Sequence, residues 1–195
     1  MNLTELQAQA LTTSLYVWED DLAQRVGIGR TFQNLNKRNR TSYNEQSLMA
    51  DNQLANIHAA VCEIGVCRLL GAYCFAGVWD VYDHHRYSGL PDGLWSHTEL
   101  EIKWRRTGMK MPVDRKDAEK NRLVVWAESK LPRSSNCTCE TCQQGCGDTS
   151  RVRLLGGGRA QELWSLGKPY NNDGNRVGVP LQQLTPIKQI INAAL

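Results

Sequence analysis

The sequence predicts a mixed fold of the α/β or α+β class, with a mainly antiparallel or mixed central sheet and helices on its flanks. Apolar residues recur at helical spacing over 51–73 and again over 184–191, a pattern typical of amphipathic helices. Alternating or continuous apolar runs at 97–105, 123–127 and 151–155 are typical of strands. The order of helix, sheet and helix leaves the choice between α/β and α+β open.

The composition indicates one globular core. The chain has 195 residues, of which 41% are hydrophobic and 22% are charged, as in folded rather than disordered proteins. No apolar run approaches the roughly 18 residues of a membrane helix, and the N-terminus lacks the pattern of a secretory signal. We therefore expect a cytoplasmic protein with an N-terminal segment, 1–50, and a core, 51–195, that carries a cysteine-rich loop at 131–150.

The N-terminal segment is predicted to form one amphipathic helix, Thr4–Val26, followed over 30–49 by a polar, basic loop with one or two helical turns. Thr4 and Gln7 form a capping-box pattern. The apolar stripe that follows suits core packing or an association surface. The Gly27-Ile28-Gly29 triplet is expected to end this helix.

The first helix of the core is predicted to begin at Asp51, which suits a capping position, and to end near Tyr73. Its middle carries Glu63. Gly65, two residues later, would let another element approach the helix closely.

Downstream, the runs at 123–127 and 151–155 are predicted to pair as antiparallel strands. The segment over 106–121 is expected to be a charged connection. The glycines at 156–158 are expected to break the chain before a short helix, Arg159–Leu166. The last helix is predicted to have Thr185 as its cap and Pro186 at its first position.

An acidic motif precedes and enters the first of these strands. Side chains two apart in a strand share a face. One face of this strand is therefore apolar, and the other carries a row of polar residues: His97, Glu99, Glu101, Lys103 and Arg105. Asp92 lies just upstream, in a Pro91-Asp92-Gly93 turn signal. Two carboxylates can hold a hard divalent cation. An ammonium beside them can orient water or offset charge on a phosphodiester during cleavage. The same residues would also be ordinary in a turn and on a solvated strand face.

A helix with a glutamate, followed by a hairpin that carries Asp and Glu-x-Lys, resembles the PD-(D/E)xK nuclease superfamily, in particular its small phage and bacterial members. The stretch from Asn56 to about Trp164, with the tail at 181–191, carries this resemblance. This chain departs from the superfamily's pattern in two places: Gly65 follows Glu63 rather than preceding it, and Asp92 adjoins Gly93 as a turn residue would.

The resemblance implies a restriction-endonuclease-like core and Mg²⁺- or Mn²⁺-dependent cleavage of DNA. Asp92, Glu101 and the backbone carbonyl of Ile102 would hold the metal, Lys103 would position the attacking water, and Glu63 would order metal-bound water. Two alternatives stay open. One is a catalytically silent nucleic-acid-binding or virion/assembly protein of the same fold, and the other is a zinc-loop adaptor for protein interaction. Other phage or host proteins and a homodimer are the further partners considered, in the host cytoplasm if the chain is phage-encoded, or in a virion.

Basic residues fall into clusters that suit phosphate contact. The clusters predicted to bind nucleic acid are Lys37, Arg38 and Arg40, and then Arg105, Arg106 and Lys110. A solvated surface is the competing interpretation of each.

Four of the seven cysteines lie between 137 and 146: Cys137, Cys139, Cys142 and Cys146. A reducing cytosol disfavours disulfides, and four thiolates around a Cys-x-x-Cys knuckle suit a structural Zn²⁺. We predict structural zinc here, with an iron–sulfur cluster, disulfides or free thiols as alternatives. Four thiolates leave no open position for water, which argues against a catalytic zinc.

Overall fold

The computed structural model describes residues 3–38, 45–75, 89–104, 110–132, 149–170 and 173–194. They form a mixed α/β fold in which a large mixed sheet has one hydrophobic core on each face. In this part of the chain, no helix is both long and apolar enough to cross a membrane.

The elements follow one another in the order helix, strand, two long helices, strands, and a helical C-terminus. The helices are α1 (Leu3–Ala8), α2 (Val17–Arg38), α3 (Glu45–Leu70), α4 (Arg115–Glu119), α5 (Ala160–Leu166) and α6 (Ile187–Ala194), with a 3-10 turn at Leu181–Gln183. The strands are β1 (Leu11–Ser14), β2 (Tyr73–Cys74), β3 (Gly93–Trp95), β4 (Thr98–Trp104), β5 (Met111–Asp114), β6 (Leu123–Lys130), β7 (Arg151–Arg159), β8 (Lys168–Tyr170), β9 (Asp173–Val179) and β10 (Thr185–Pro186).

The large sheet has the strand order β1-β7-β6-β4-β3-β2, and β10 adds to β7. β4 and β6 are parallel, with Leu100 opposite Leu123 and Trp104 opposite Ala127, whereas the other pairs are antiparallel. The connection between the two parallel strands includes β5 and α4. A small antiparallel sheet, β5-β9-β8, stands apart from the large one.

Alternation along β6 divides its side chains between two cores. Val125 and Ala127 join the core built with α2 and α3, while Val124 and Trp126 join the core built with α1, β5, β9 and α5. The α3 side is tightly packed: a Cβ at Gly65 would lie 2.5 Å from Cγ2 of Val152 in β7. The expectation that Gly65 admits a close neighbour is therefore confirmed.

The predicted N-terminal helix, Thr4–Val26, is wrong. α1 ends at Ala8, and β1 then pairs with the edge of β7, with Leu11 opposite Leu154 and Ser14 opposite Arg151. The β-branched Thr12 and Thr13 favour this extended conformation over a helix, and strand pairing satisfies their backbone groups.

The predicted stop at Gly27–Gly29 and the predicted loop over 30–49 are also wrong, because α2 continues to Arg38 and α3 begins at Glu45. Packing explains this difference. A Cβ at Gly27 would lie 2.5 Å from Cα of Ile57, so this glycine lets α2 and α3 approach closely. Asp51 lies within α3 and does not cap it.

Downstream, the antiparallel pairing of β6 with β7 is confirmed, and so is a helix that ends at Leu166. The glycines at 156–158 do not break the chain, because they continue β7. Thr185 and Pro186 pair with Gly157 and Gly156, so the terminal helix begins at Ile187. The charged connection over 106–121 contains β5 and α4.

β3 and β4 form a tight hairpin whose turn contains Ser96 (φ 44°) and His97 (φ 63°). Two left-handed residues of this kind match the twist of a two-residue hairpin. His97 is therefore a turn residue and does not lie on the strand face with Glu101, contrary to prediction. Leu100 and Ile102 are buried on the α3 side, as the alternation predicts.

Candidate functional site

Asp92 is fixed by backbone contacts on both sides of β3. Its N–H donates to the carbonyl of Leu100 (2.9 Å), and its own carbonyl accepts from the N–H of Phe75 (3.1 Å). Its side chain turns toward β4, where Oδ2 accepts a hydrogen bond from the N–H of Ile102 (2.7 Å). Asp92 is thus anchored to the strand that carries Glu101 and Lys103.

Asp92 lies in a strongly anionic environment. Burial raises the pKa of its carboxyl well above the usual range, and the negative charges of Glu101 and Glu63 raise it further. The Ile102 N–H and the Lys103 ammonium act in the opposite direction and do not offset this. The negative charges of Glu101 in β4 and of Glu63 in α3 therefore both act on the carboxyl group of Asp92.

Lys103 is surrounded by carboxylates. Its Nζ lies 2.7 Å from Oε1 of Glu101, 3.2 Å from Oδ2 of Asp114 and 3.6 Å from Oδ2 of Asp117. Burial alone would lower the pKa of Lys103, but Glu101, Asp117 and Asp114 outweigh it and raise that pKa. The side chain is consequently a permanent ammonium donor.

Arg122 connects the two segments that carry the motif. It is 1% exposed. Its Nε donates to Oε2 of Glu99 (2.7 Å), and its Nη2 donates to the carbonyl of Gly89 (2.8 Å), three residues before Asp92. Its Nη1 contacts Oδ1 of Asp117 (2.9 Å) and Oε2 of Glu101 (3.4 Å).

Glu63 faces the hairpin from α3, and Arg30 of α2 binds it with two hydrogen bonds. The distances are 2.9 Å from Nη1 to Oε1 and 2.6 Å from Nη2 to Oε2. Burial would lower the pKa of Arg30, but Glu63 and, more weakly, Asp92 raise it. The guanidinium thus pairs directly with Glu63 and interacts electrostatically with Asp92.

Sequence reasoning missed four charged residues of this site: Arg30, Asp114, Asp117 and Arg122. The sequence patterns place Arg30 in a polar, basic segment and both aspartates in a charged connection, where neither stands out as a site residue. One signal pointed to Arg122, namely a charged residue directly before the buried run 123–127.

Within the described ranges, no three His, Cys, Asp or Glu side chains come together as a metal-binding group. The predicted magnesium set has only two side chains, Asp92 and Glu101, with the carbonyl of Ile102 as its third ligand. Oxygen donors suit Mg²⁺. The raised pKa of Asp92 fits such a set, because a cation beside it would offset the repulsion between the carboxylates.

Three of the six predicted nucleic-acid-binding residues lie outside what the structure describes: Arg40, Arg105 and Arg106. The backbone of Lys37 and Arg38 belongs to the last turn of α2. Lys110 is exposed just before β5. The cysteines of the predicted zinc loop also lie outside the described residues: Cys137, Cys139, Cys142 and Cys146.

Comparison with known proteins gives no match: no family model, no curated protein and no solved structure matches this chain.

Proposed function

We propose that this chain is a Mg²⁺- or Mn²⁺-dependent DNA nuclease of the PD-(D/E)xK type, with a restriction-endonuclease-like core. The observation that supports it best is that the negative charges of Glu101 and Glu63 both act on the buried carboxyl group of Asp92, while the Lys103 ammonium is bonded to Glu101. The order of elements along the chain also supports the proposal. Helix α3 carries Glu63, and the segment that follows carries Asp92 directly before β3 and then Glu101 and Lys103 in β4.

Asp92, Glu101 and the carbonyl of Ile102 would hold the metal. Mg²⁺ in such a set lowers the pKa of coordinated water and offsets charge on the scissile phosphate. Lys103 would act as a charged hydrogen-bond donor that orients the attacking water. Since its pKa is raised, Lys103 would not serve as a general base.

The surrounding charges would hold this machinery in position. Arg122 bonds both to Glu101 and to the Gly89 carbonyl ahead of Asp92, so it would fix the spacing of the two acidic ligands. Arg30 would orient Glu63 through its two hydrogen bonds. These are positioning roles rather than contacts with reacting atoms.

The test is incubation of the protein with supercoiled, linear and branched DNA in Mg²⁺, Mn²⁺ or EDTA. We expect cleavage with either metal and none in EDTA. Glu101→Gln should abolish cleavage, whereas Glu99→Gln should retain it. Glu99 is the matched control, because it lies on the same face of β4 and also pairs with Arg122. Full activity of Glu101→Gln would contradict the assignment.

A catalytically silent, nucleic-acid-binding version of the fold is the second candidate. Its supporting observation is that the acids already have cationic partners. Both Glu63 oxygens bond to Arg30, and Glu101 contacts both Lys103 and Arg122. A wild type that binds DNA but leaves every substrate intact in Mg²⁺ and Mn²⁺ would favour this version.

A further inference from the structure

At one corner of the large sheet, β1, β7 and β6 present rows of polar side chains on the face away from α3. The inner row is balanced in charge. Glu128 is directly opposite Arg153, and Nη2 and Nε of Arg153 lie 2.5 Å and 3.2 Å from Oε2 of Glu128. Thr12 of β1 completes this row as the neighbour of Arg153.

The outer row carries two positive charges. Lys130 is directly opposite Arg151, and Ser14 lies on the other side of Arg151. All three residues are exposed. Within the described part of the chain, no carboxylate forms an ion pair with Lys130 or Arg151. Like charges directly opposite each other destabilise a strand pair, and an anion between them would relieve the repulsion.

The two rows border a cleft of about 250 Å³, lined by Thr12, Glu128, Lys130, Arg151 and Arg153 among others. Since one water takes roughly 30 Å³ of liquid, the cleft can accept a tetrahedral oxyanion. The cleft therefore combines the space and the positive charge that bound phosphate requires.

We propose that the row Ser14–Arg151–Lys130 binds the phosphodiester backbone of a nucleic acid. Arg, Lys and Ser are the side chains that contact phosphate oxygens without reading sequence. A small free anion would bind weakly to such exposed cations because water screens them. A polymer gains from counterion release at each phosphate that it presents. This site lies away from Asp92 and Glu101, since Glu101 is opposite Val124 at the other end of β6; it requires no metal and goes beyond the proposed cleavage.

The test compares two double variants that each remove two charged side chains from the same sheet face. Lys130→Gln/Arg151→Gln lowers the positive charge by two. Glu128→Gln/Arg153→Gln is the matched control, because it removes one charge of each sign. Binding to a fluorescent random-sequence duplex is measured by anisotropy in EDTA, which excludes metal-dependent cleavage, between roughly 50 and 200 mM salt. Far-UV circular dichroism and thermal melting check that both variants fold.

The wild type should bind with a steep salt dependence. The first variant should bind all sequences more weakly, and its log–log slope should be shallower by about 1.8, since each duplex phosphate contact contributes roughly 0.9. The control should keep the wild-type slope.

Equal slopes for wild type and first variant, or no binding by the wild type, would overturn the proposal. Displacement of DNA by polyglutamate at equal charge concentration would also overturn it, because the site would then recognise acidic polymers in general. DNA binding in EDTA by a protein that cleaves nothing would support the binding site and refute only the nuclease.

Discussion

Lys103 Nζ lies 3.6 Å from Oδ2 of Asp117, an oxygen that is fully buried and accepts no hydrogen bond from the residues that the structure describes. The other oxygen of Asp117 accepts from Arg122 (2.9 Å). One buried carboxylate therefore lies between the two cations that contact Glu101. It is also the third carboxylate beside Lys103, after Glu101 and Asp114.

Asp117→Ala should destabilise the fold strongly. Removing one partner of a buried ion pair leaves the other charge uncompensated, which costs about 3–5 kcal/mol, and Arg122 has no exposed surface here. Asp114→Ala is the matched control. It removes another carboxylate from Lys103, but its second partner, Arg176, is 43% exposed and can be solvated. Urea unfolding should show the smaller loss for Asp114→Ala; equal losses would mean that burial of the pair is not the cause.

Asp92 should make the metal-free protein less stable as the pH rises. Its folded pKa lies above its unfolded value of roughly 3.9, so the native state binds the proton more tightly and stability falls from that pH up through the folded pKa. In EDTA at neutral pH, Asp92→Asn should therefore melt at a higher temperature than the wild type. The difference should vanish at acid pH, where both states are protonated.

Magnesium should reverse that order if Asp92 is a ligand, because a cation that binds only the native state raises its melting temperature. The wild type should gain stability with Mg²⁺, and Asp92→Asn should gain much less. An identical response of the two proteins to Mg²⁺ would remove Asp92 from the metal site without affecting the pH prediction.

The local parts of the site were predictable from the sequence, and the long-range parts were not. Period-two alternation identifies the shared face of Glu99, Glu101 and Lys103, and helical periodicity places Glu63 in a helix. Arg30 and Glu63 are separated by 33 positions, and a local pattern contains no information about contacts at that distance. Arg122 and Asp117 join the site through the crossover between the parallel strands β4 and β6. The sequence predicts a mainly antiparallel or mixed sheet, but no local pattern indicates which two strands are parallel.

The errors in the N-terminal half have one physical origin. Gly27 lowers local helix propensity, yet in the folded chain it allows close contact between α2 and α3, so packing outweighs propensity. The extended segment at Leu11–Ser14 is likewise stabilised by a distant strand, β7, that no N-terminal window reveals.

Gly65→Ala should destabilise the protein by about 1–3 kcal/mol. The added methyl would lie 2.5 Å from Cγ2 of Val152, and this valine is fully buried, so either α3 or β7 must shift. Gly174→Ala is the control, because no atom lies within 4 Å of its new methyl. Thermal melting should separate the two, and a Gly65→Ala melting temperature equal to that of the control would contradict the tight contact.

The predicted zinc loop should affect stability only locally. Lys130 and Arg151, on either side of it, are already opposite each other in β6 and β7, and that pairing rests on a buried core. Protein purified under reducing conditions should contain roughly one zinc per chain. Chelator or acid should release it together with reactive thiols at four positions: Cys137, Cys139, Cys142 and Cys146. Hydrogen exchange should then rise near Val152 while α3 stays protected. Zinc-free protein with four reactive thiols from the outset would rule the site out.

Arg30 and Glu63 should be strongly coupled in stability. Arg30→Met leaves the Glu63 carboxylate without the two hydrogen bonds that compensate its burial and should cost about 3 kcal/mol. Glu63→Gln keeps one acceptor for Arg30 and should cost less. The double variant should lose less than the sum of the single variants, because neither charge is then left alone. Urea unfolding of all four proteins measures this coupling energy, and strict additivity would mean that the ion pair contributes nothing. If Glu63 also orders water for cleavage, the double variant will recover stability without recovering Mg²⁺-dependent activity, which separates its structural role from its proposed catalytic one.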